Sequence, residues 1–134
     1  MRVKCIVNAL EQLADTGVKA RLANSIHLDG PDENLVIGNT YEVLALDRAD
    51  DGGLRVYLHS VERGDHPYPY PLEMFNIEDS TFPENWVIGF AQNQYGSTMK
   101  RISFPEWASD DRFFEKLVDG DQITLGQYRK QKNS

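Results

Sequence analysis

Asp50-Asp51-Gly52-Gly53 falls between two runs in which apolar and polar residues alternate, and no other feature restricts the chain so tightly. Asp and Gly tolerate the positive φ that a tight hairpin turn demands. Before the turn, Tyr41, Val43 and Ala45 share one face of a strand, with Glu42, Leu44 and Leu46 on the other. After it, Leu54 to Val61 returns, with Val56 and Leu58 alternating against Arg55, Tyr57 and His59. Gly38 and Asn39 supply a sharp bend ahead of the first strand. A second polar loop, Glu62-Arg63-Gly64-Asp65, leads to Tyr68-Pro69-Tyr70-Pro71. Alternating Pro and Tyr excludes an interior strand, because every second amide hydrogen is missing. That segment is expected at a sheet edge or crossing the surface. Leu72 to Ile77 predicts a short turn, then a strand carrying Phe75 and Ile77.

Ile37-Gly38-x-x-Tyr41-x-Val43, the tight Gly turn, the return strand and Tyr70-Pro71-x-x-x-Phe75-x-Ile77 together resemble an SH3-like small β-barrel. The resemblance implies a 3₁₀ turn between Tyr70 and Phe75, before the last barrel strand. The combination also resembles small uncharacterised bacterial proteins with this core and a C-terminal Trp/Phe-rich extension. It covers a third to a half of the chain and speaks to fold rather than function. Peptide-binding relatives of this barrel carry adjacent tryptophans on the return hairpin. Val56, Tyr57 and Leu58 stand there instead, so recognition of proline-rich peptides does not carry over.

The expectation is a mainly β, α+β chain forming one domain over residues 1–134. Residues 35–79 would be the SH3-like core, and 80–134 an added β-hairpin with one C-terminal helix packed on it. Val3, Cys5 and Val7 alternate with Arg2, Lys4 and Ile6, which predicts a first strand. Asn8 and Glu11 suggest a short helix start, with Leu10, Leu13 and Ala14 on one face and Asp15-Thr16-Gly17 as its end. Residues 18–28 fit a strand or a helix; extended structure is favoured because Ile26-His27-Leu28 runs into the turn Asp29-Gly30-Pro31-Asp32. Trp86 to Phe90 reads as a strand with Trp86, Ile88 and Phe90 on one side. Gln92 to Ser97 is a polar loop, and Met99 to Phe104 is the hairpin partner. Pro105-Glu106-Trp107 starts a turn. Ser109 to Gly120 is the clearest helix, with Ser109 as cap and Phe113, Phe114, Leu117 and Val118 on its apolar face, beside Trp107. Ile123, Leu125 and Tyr128 read as a last strand or extended arm, before a basic tail from Arg129.

The net charge of −7 is uneven: residues 29–84 carry thirteen acidic and three basic side chains, and the flanks are near neutral. Such a surface repels phosphate backbones and attracts a basic partner, which disfavours nucleic acid. No apolar run approaches the roughly 20 residues of a membrane helix. The N-terminus is too short and too alternating for a signal peptide. A single cysteine, Cys5, among Val3, Ile6 and Val7 fits a buried, inert thiol in a cytoplasmic protein.

Chemistry is sparse. His59 and His66 lie seven apart near Glu62 and Asp65, a spacing that matches no metal-ligand pattern. The pairs Asp50-Asp51, Glu78-Asp79 and Asp110-Asp111 have turn or helix-start explanations. Neither a phosphate loop nor a nucleophile elbow is present. Neither a catalytic set, a metal nor a cofactor is therefore expected. The leading reading is a non-enzymatic protein-binding module, in one form an immunity or antitoxin-type inhibitor of a basic toxin. Its contact residues would be Asp50, Asp51, Asp65, Tyr68, Tyr70 and Glu73, with the tyrosines as a flat platform. A second reading is a small-ligand binder or small enzyme, using a pocket between barrel and C-terminal helix near Trp86, Trp107 and Tyr95. An accessory protein of a phage or larger assembly fits the sequence equally. Monomer and homodimer both remain open, since an exposed Tyr-Pro segment and a free strand edge would serve pairing.

Overall fold

The computed structural model describes residues 1–23, 35–59 and 66–132. Seven strands form an antiparallel sheet: β1 (Arg2–Cys5), β2 (Thr40–Arg48), β3 (Leu54–Leu58), β4 (Tyr68–Pro71), β5 (Phe75–Asp79), β6 (Val87–Asn93) and β7 (Gly96–Ser103). Four short helices accompany them: α1 (Thr16–Ala23), α2 (Pro105–Ala108), α3 (Phe113–Val118) and α4 (Gln122–Lys132). The architecture is mainly β with added helices, an α+β arrangement. The sheet runs β4-β3-β2-β1-β5, and β7 joins β2 and carries β6. No ladder links β4 to β5 among the described residues, so the sheet is not closed. None of the described helices is long and apolar enough to cross a membrane.

β2 is the hub. Its first residues pair with β1, as Arg2 opposite Glu42 and Lys4 opposite Thr40. Further along it pairs with β3, and Leu46 and Asp47 also pair with Ile102 and Arg101 of β7. The Asp50–Gly53 turn forms as expected, with Gly52 at φ 87° and the Ala49 N–H donating to the Gly53 carbonyl.

Strict alternation along β2 fails at one point. Val43 pairs with Leu58 but Ala45 pairs with Tyr57, so Leu44 is an extra residue. A bulge of this kind shifts the side-chain phase. Val43 and Leu46 therefore enter one core with Val3, Cys5, Val56, Leu58, Tyr70, Met74 and Phe75. Leu44 and Ala45 enter the other, with Tyr57, Phe104, Trp107, Phe113, Leu117, Leu125 and Tyr128. The sheet is covered on both faces here, and Trp86 packs against both cores.

Among the described residues Tyr68–Pro71 is an edge strand, paired on one side, with Val56 opposite Tyr70. A 3₁₀ turn follows at Leu72–Met74 and leads into β5. The first strand is also as expected, with Val3 and Cys5 fully buried.

The helices differ from the sequence reading. Asp15-Thr16-Gly17 begins a helix instead of ending one: the Asp15 carboxylate accepts the Val18 N–H at 3.0 Å, so residues 18–23 are helical, not extended. Residues 24–28 and the Asp29–Asp32 turn lie outside the described residues. The helix expected from Ser109 starts only at Phe113, because Asp110 accepts the Arg112 N–H and holds the preceding segment as a turn. Ser109 instead bonds back to the Pro105 carbonyl at 2.8 Å. Gly120, at φ 79°, ends α3 as expected.

The extended arm is a helix too. Asp121 accepts both the N–H and the hydroxyl of Thr124 and so caps α4. Thr124, Leu125 and Tyr128 face inward, whereas Ile123 is 77 % exposed. Residues 129–132 belong to this helix rather than to a frayed tail. The C-terminal part thus packs three short helices, not one, on the outer face of the sheet.

Candidate protein-interaction surface

The five described residues of the six proposed contacts do not form one exposed face. Asp50 is exposed at the β2–β3 turn. Asp51 accepts the Gly53 N–H at 2.8 Å and lies 3.5 Å from Arg21 Nε. Glu73 is hydrogen-bonded to the same guanidinium. Arg21, projecting from α1, thus draws Asp51 and Glu73 together and offsets part of their charge. Tyr70 is a core side chain, 5 % exposed and set edge-on to Phe75. Tyr68 is half-buried and lies 4.9 Å from the His66 ring. Asp65 and Glu62 lie outside the described residues. The flat tyrosine platform is absent, because an edge strand still turns alternate side chains into the core.

The polar groups nearby have structural duties. Arg55 holds Asp47 through two bonds of 2.8 and 2.7 Å, and the Tyr57 hydroxyl donates to Asp47 at 2.8 Å. Burial, reinforced by the Asp47 charge, pushes the Tyr57 hydroxyl far above its ordinary value, so it stays a proton donor. The Tyr128 hydroxyl is raised likewise by burial and bonds to His59 Nδ1 at 2.7 Å. Cys5 is buried and points its thiol at the Val7 carbonyl. Among the described residues no cluster of His, Cys, Asp or Glu could hold a metal.

Among the described residues, a pocket between sheet and C-terminal helix is small. A cavity of about 100 Å³ is bounded by Val43, Leu44, Pro83, Trp86, Phe104 and Gln131. Ligand sites usually enclose several hundred Å³. Trp107 does not reach it, being buried between Phe113 and Tyr57, and Tyr95 sits at a distant hairpin tip.

The β6–β7 hairpin is the exposed feature. Trp86, Ile88 and Phe90 were expected on one side of a strand. Trp86 does pack, but Ile88 is 57 % and Phe90 58 % exposed. They pair across the hairpin with Ile102 and Met99, both half-buried, giving an apolar face of four side chains. Ile102 packs in turn against the inner core. At the tip Asn93 pairs with Gly96, and Tyr95 is 89 % exposed.

The base of this hairpin is fastened. A side chain at Gly89 would place its first carbon 2.0 Å from the Ala108 carbonyl oxygen, so α2 lies directly on the strand. Arg101 donates to that same carbonyl at 2.9 Å and to Asp111 at 2.8 Å. Lys100 also binds Asp111, and these hydrogen bonds hold its carboxyl below the usual range. Ser103, fully buried, donates to the Leu44 carbonyl at 2.8 Å. Two open clefts flank the hairpin. One, of about 450 Å³, separates β7 from the β2–β3 turn. The other, of about 320 Å³, runs along Gly89 and Phe90 beside α2.

One sequence signal marked this surface. Asn85 to Met99 is a run of fifteen residues without a charge, in a chain that is 26 % charged. No protein-family model, curated protein or solved structure matches the chain.

Proposed function

We propose that this chain is a non-enzymatic protein-binding module whose contact element is the β6–β7 hairpin. The observation that carries the reading is the exposure of Ile88 and Phe90 on a strand fastened at its base by Gly89 and Arg101. Exposed apolar side chains on a rigid support favour association, because little conformational freedom is lost when they are covered. Asp47, Asp51, Arg55, Tyr57, Glu73 and Tyr128 are each held by a bond to a neighbouring group, which agrees with a binding role rather than a catalytic one. An SH3-like barrel as the supporting core belongs to the same proposal. It is favoured by a bulged β2 shared among three neighbours and by the 3₁₀ turn at Leu72–Met74. A cytoplasmic setting agrees with one buried thiol.

The immunity-type reading keeps one supporting observation, the acid excess in residues 29–84 with Asp50 exposed at its turn. A tagged pull-down from the host separates the two. Ile88→Lys with Phe90→Lys should abolish capture, and Asp50→Lys should leave it unchanged. The reverse pattern would move the contact to the acidic turn and favour a basic partner. Equal capture by all variants would sink both surfaces.

A further inference from the structure

Among the described residues, β4, β5 and β6 each pair on one side only. Such an edge leaves a row of N–H and C=O groups open to another strand. β4 is guarded by Pro69 and Pro71, which have no N–H to offer. β5 is short and ends in Glu78 and Asp79. β6 has neither guard: its seven residues, Val-Ile-Gly-Phe-Ala-Gln-Asn, include no proline and no charge.

The missing charge indicates what pairs there. An acidic or basic edge selects a strand of opposite sign. A neutral edge bearing Ile88 and Phe90 fits another neutral, apolar strand, and this chain carries one in β6 itself. A two-fold axis sets a strand against its own copy, so a strand with a net charge would meet a strand of its own sign. β6 meets no such repulsion. The acid excess lies in residues 29–84, while residues 85–134, which contain β6, are close to neutral.

Resting on the hairpin reading above, we infer that β6 pairs antiparallel with β6 of a second copy, joining two sheets into one. Centred on Gly89, the register sets Ile88 opposite Phe90 of the second copy and Val87 opposite Ala91. The first is a β-branched–aromatic pair of the kind that stabilises neighbouring strands. Gly89 and Arg101 hold the edge in place before pairing.

Sedimentation velocity on the full chain, from micromolar to near-millimolar concentration, tests this. The wild type should pass from monomer to dimer as concentration rises. Phe90→Lys should raise the dissociation constant at least ~30-fold, the penalty for losing a central interface anchor. Circular dichroism and denaturation would confirm that the variant is folded. A second variant, Ile88→Lys, should act the same way. A wild type that stays monomeric throughout, or a dimer indifferent to both substitutions, overturns the pairing. A monomeric wild type whose hairpin variants still lose a host partner would remove the second copy and keep the binding reading.

Discussion

The β2–β3 and β6–β7 hairpins are built alike and used differently. Each is antiparallel, turns tightly at a glycine of positive φ, and contains one bulge. In the first, the bulge at Leu44 sends successive residues into two cores, so Val43 to Leu46 are all buried. Its charged tip is fastened by Arg21. In the second, α2 covers one face at Gly89, and on the other Ile88 and Phe90 remain more than half exposed among the described residues. A hairpin's chemistry therefore follows from what lies against each face, not from its own turn and strands.

The comparison can be broken first at the packing they share. Trp107→Ala removes a buried ring stacked on Phe113 and set against Tyr57. It should cost about 3–5 kcal/mol in urea denaturation and expose the outer side of β2–β3. Gly89→Val is next. The carbonyl of Ala108 is backbone and cannot swing away, so α2 must lift from β6 at about 1–3 kcal/mol. Amide exchange should then quicken in β6 and β7 while β2 and β3 stay protected. Uniform loosening would mean that the two hairpins are one cooperative unit.

A smaller effect is expected from acid. The Asp111 carboxyl sits below its ordinary 3.8, through hydrogen bonds from Lys100 and Arg101. A carboxyl depressed in the folded state stabilises at neutral pH and loses that contribution as pH falls through its folded value. Protection factors in β7 should thus drop below about pH 4 before those of β3 do. The smallest effect is on stability at the exposed face. Phe90→Lys should change the unfolding free energy by no more than about 0.5 kcal/mol, since that ring is largely in water already. A larger loss would show that the ring contributes to the fold, and the surface would then need another explanation.

Much of the sheet was legible because its signals are local. Asp50 to Gly53 carries the chemistry of its turn within four residues. Pro69 and Pro71 confine their strand to an edge by what they lack. Leu72–Met74 and the strand after it followed from the same kind of reading. The helices were less legible. Asp15 and Asp121 each cap a helix three residues ahead, yet Asp15-Thr16-Gly17 also reads as a stop. Ile123 and Leu125 mimic strand alternation, whereas the buried set is Thr124, Leu125 and Tyr128 at helical spacing.

The proposed contact residues were chosen for charge and aromaticity, properties that every residue carries alone. Whether Asp51 and Glu73 are open to a partner depends on Arg21, which lies 52 residues from Glu73 along the chain. Whether Tyr70 is a platform or core depends on Phe75 and the inner cluster.

The sequence by itself determined the β-rich class, the two hairpins, the guarded Tyr-Pro edge and the buried thiol, since each rests on neighbours within a few residues. Only the tertiary structure decided which apolar side chains are covered. Ile88 and Leu44 have nearly the same hydrophobicity, but Leu44 lies beneath the C-terminal helices and Ile88, beside α2, is left largely uncovered. Burial depends on which distant segments come to rest there, and no local pattern records that.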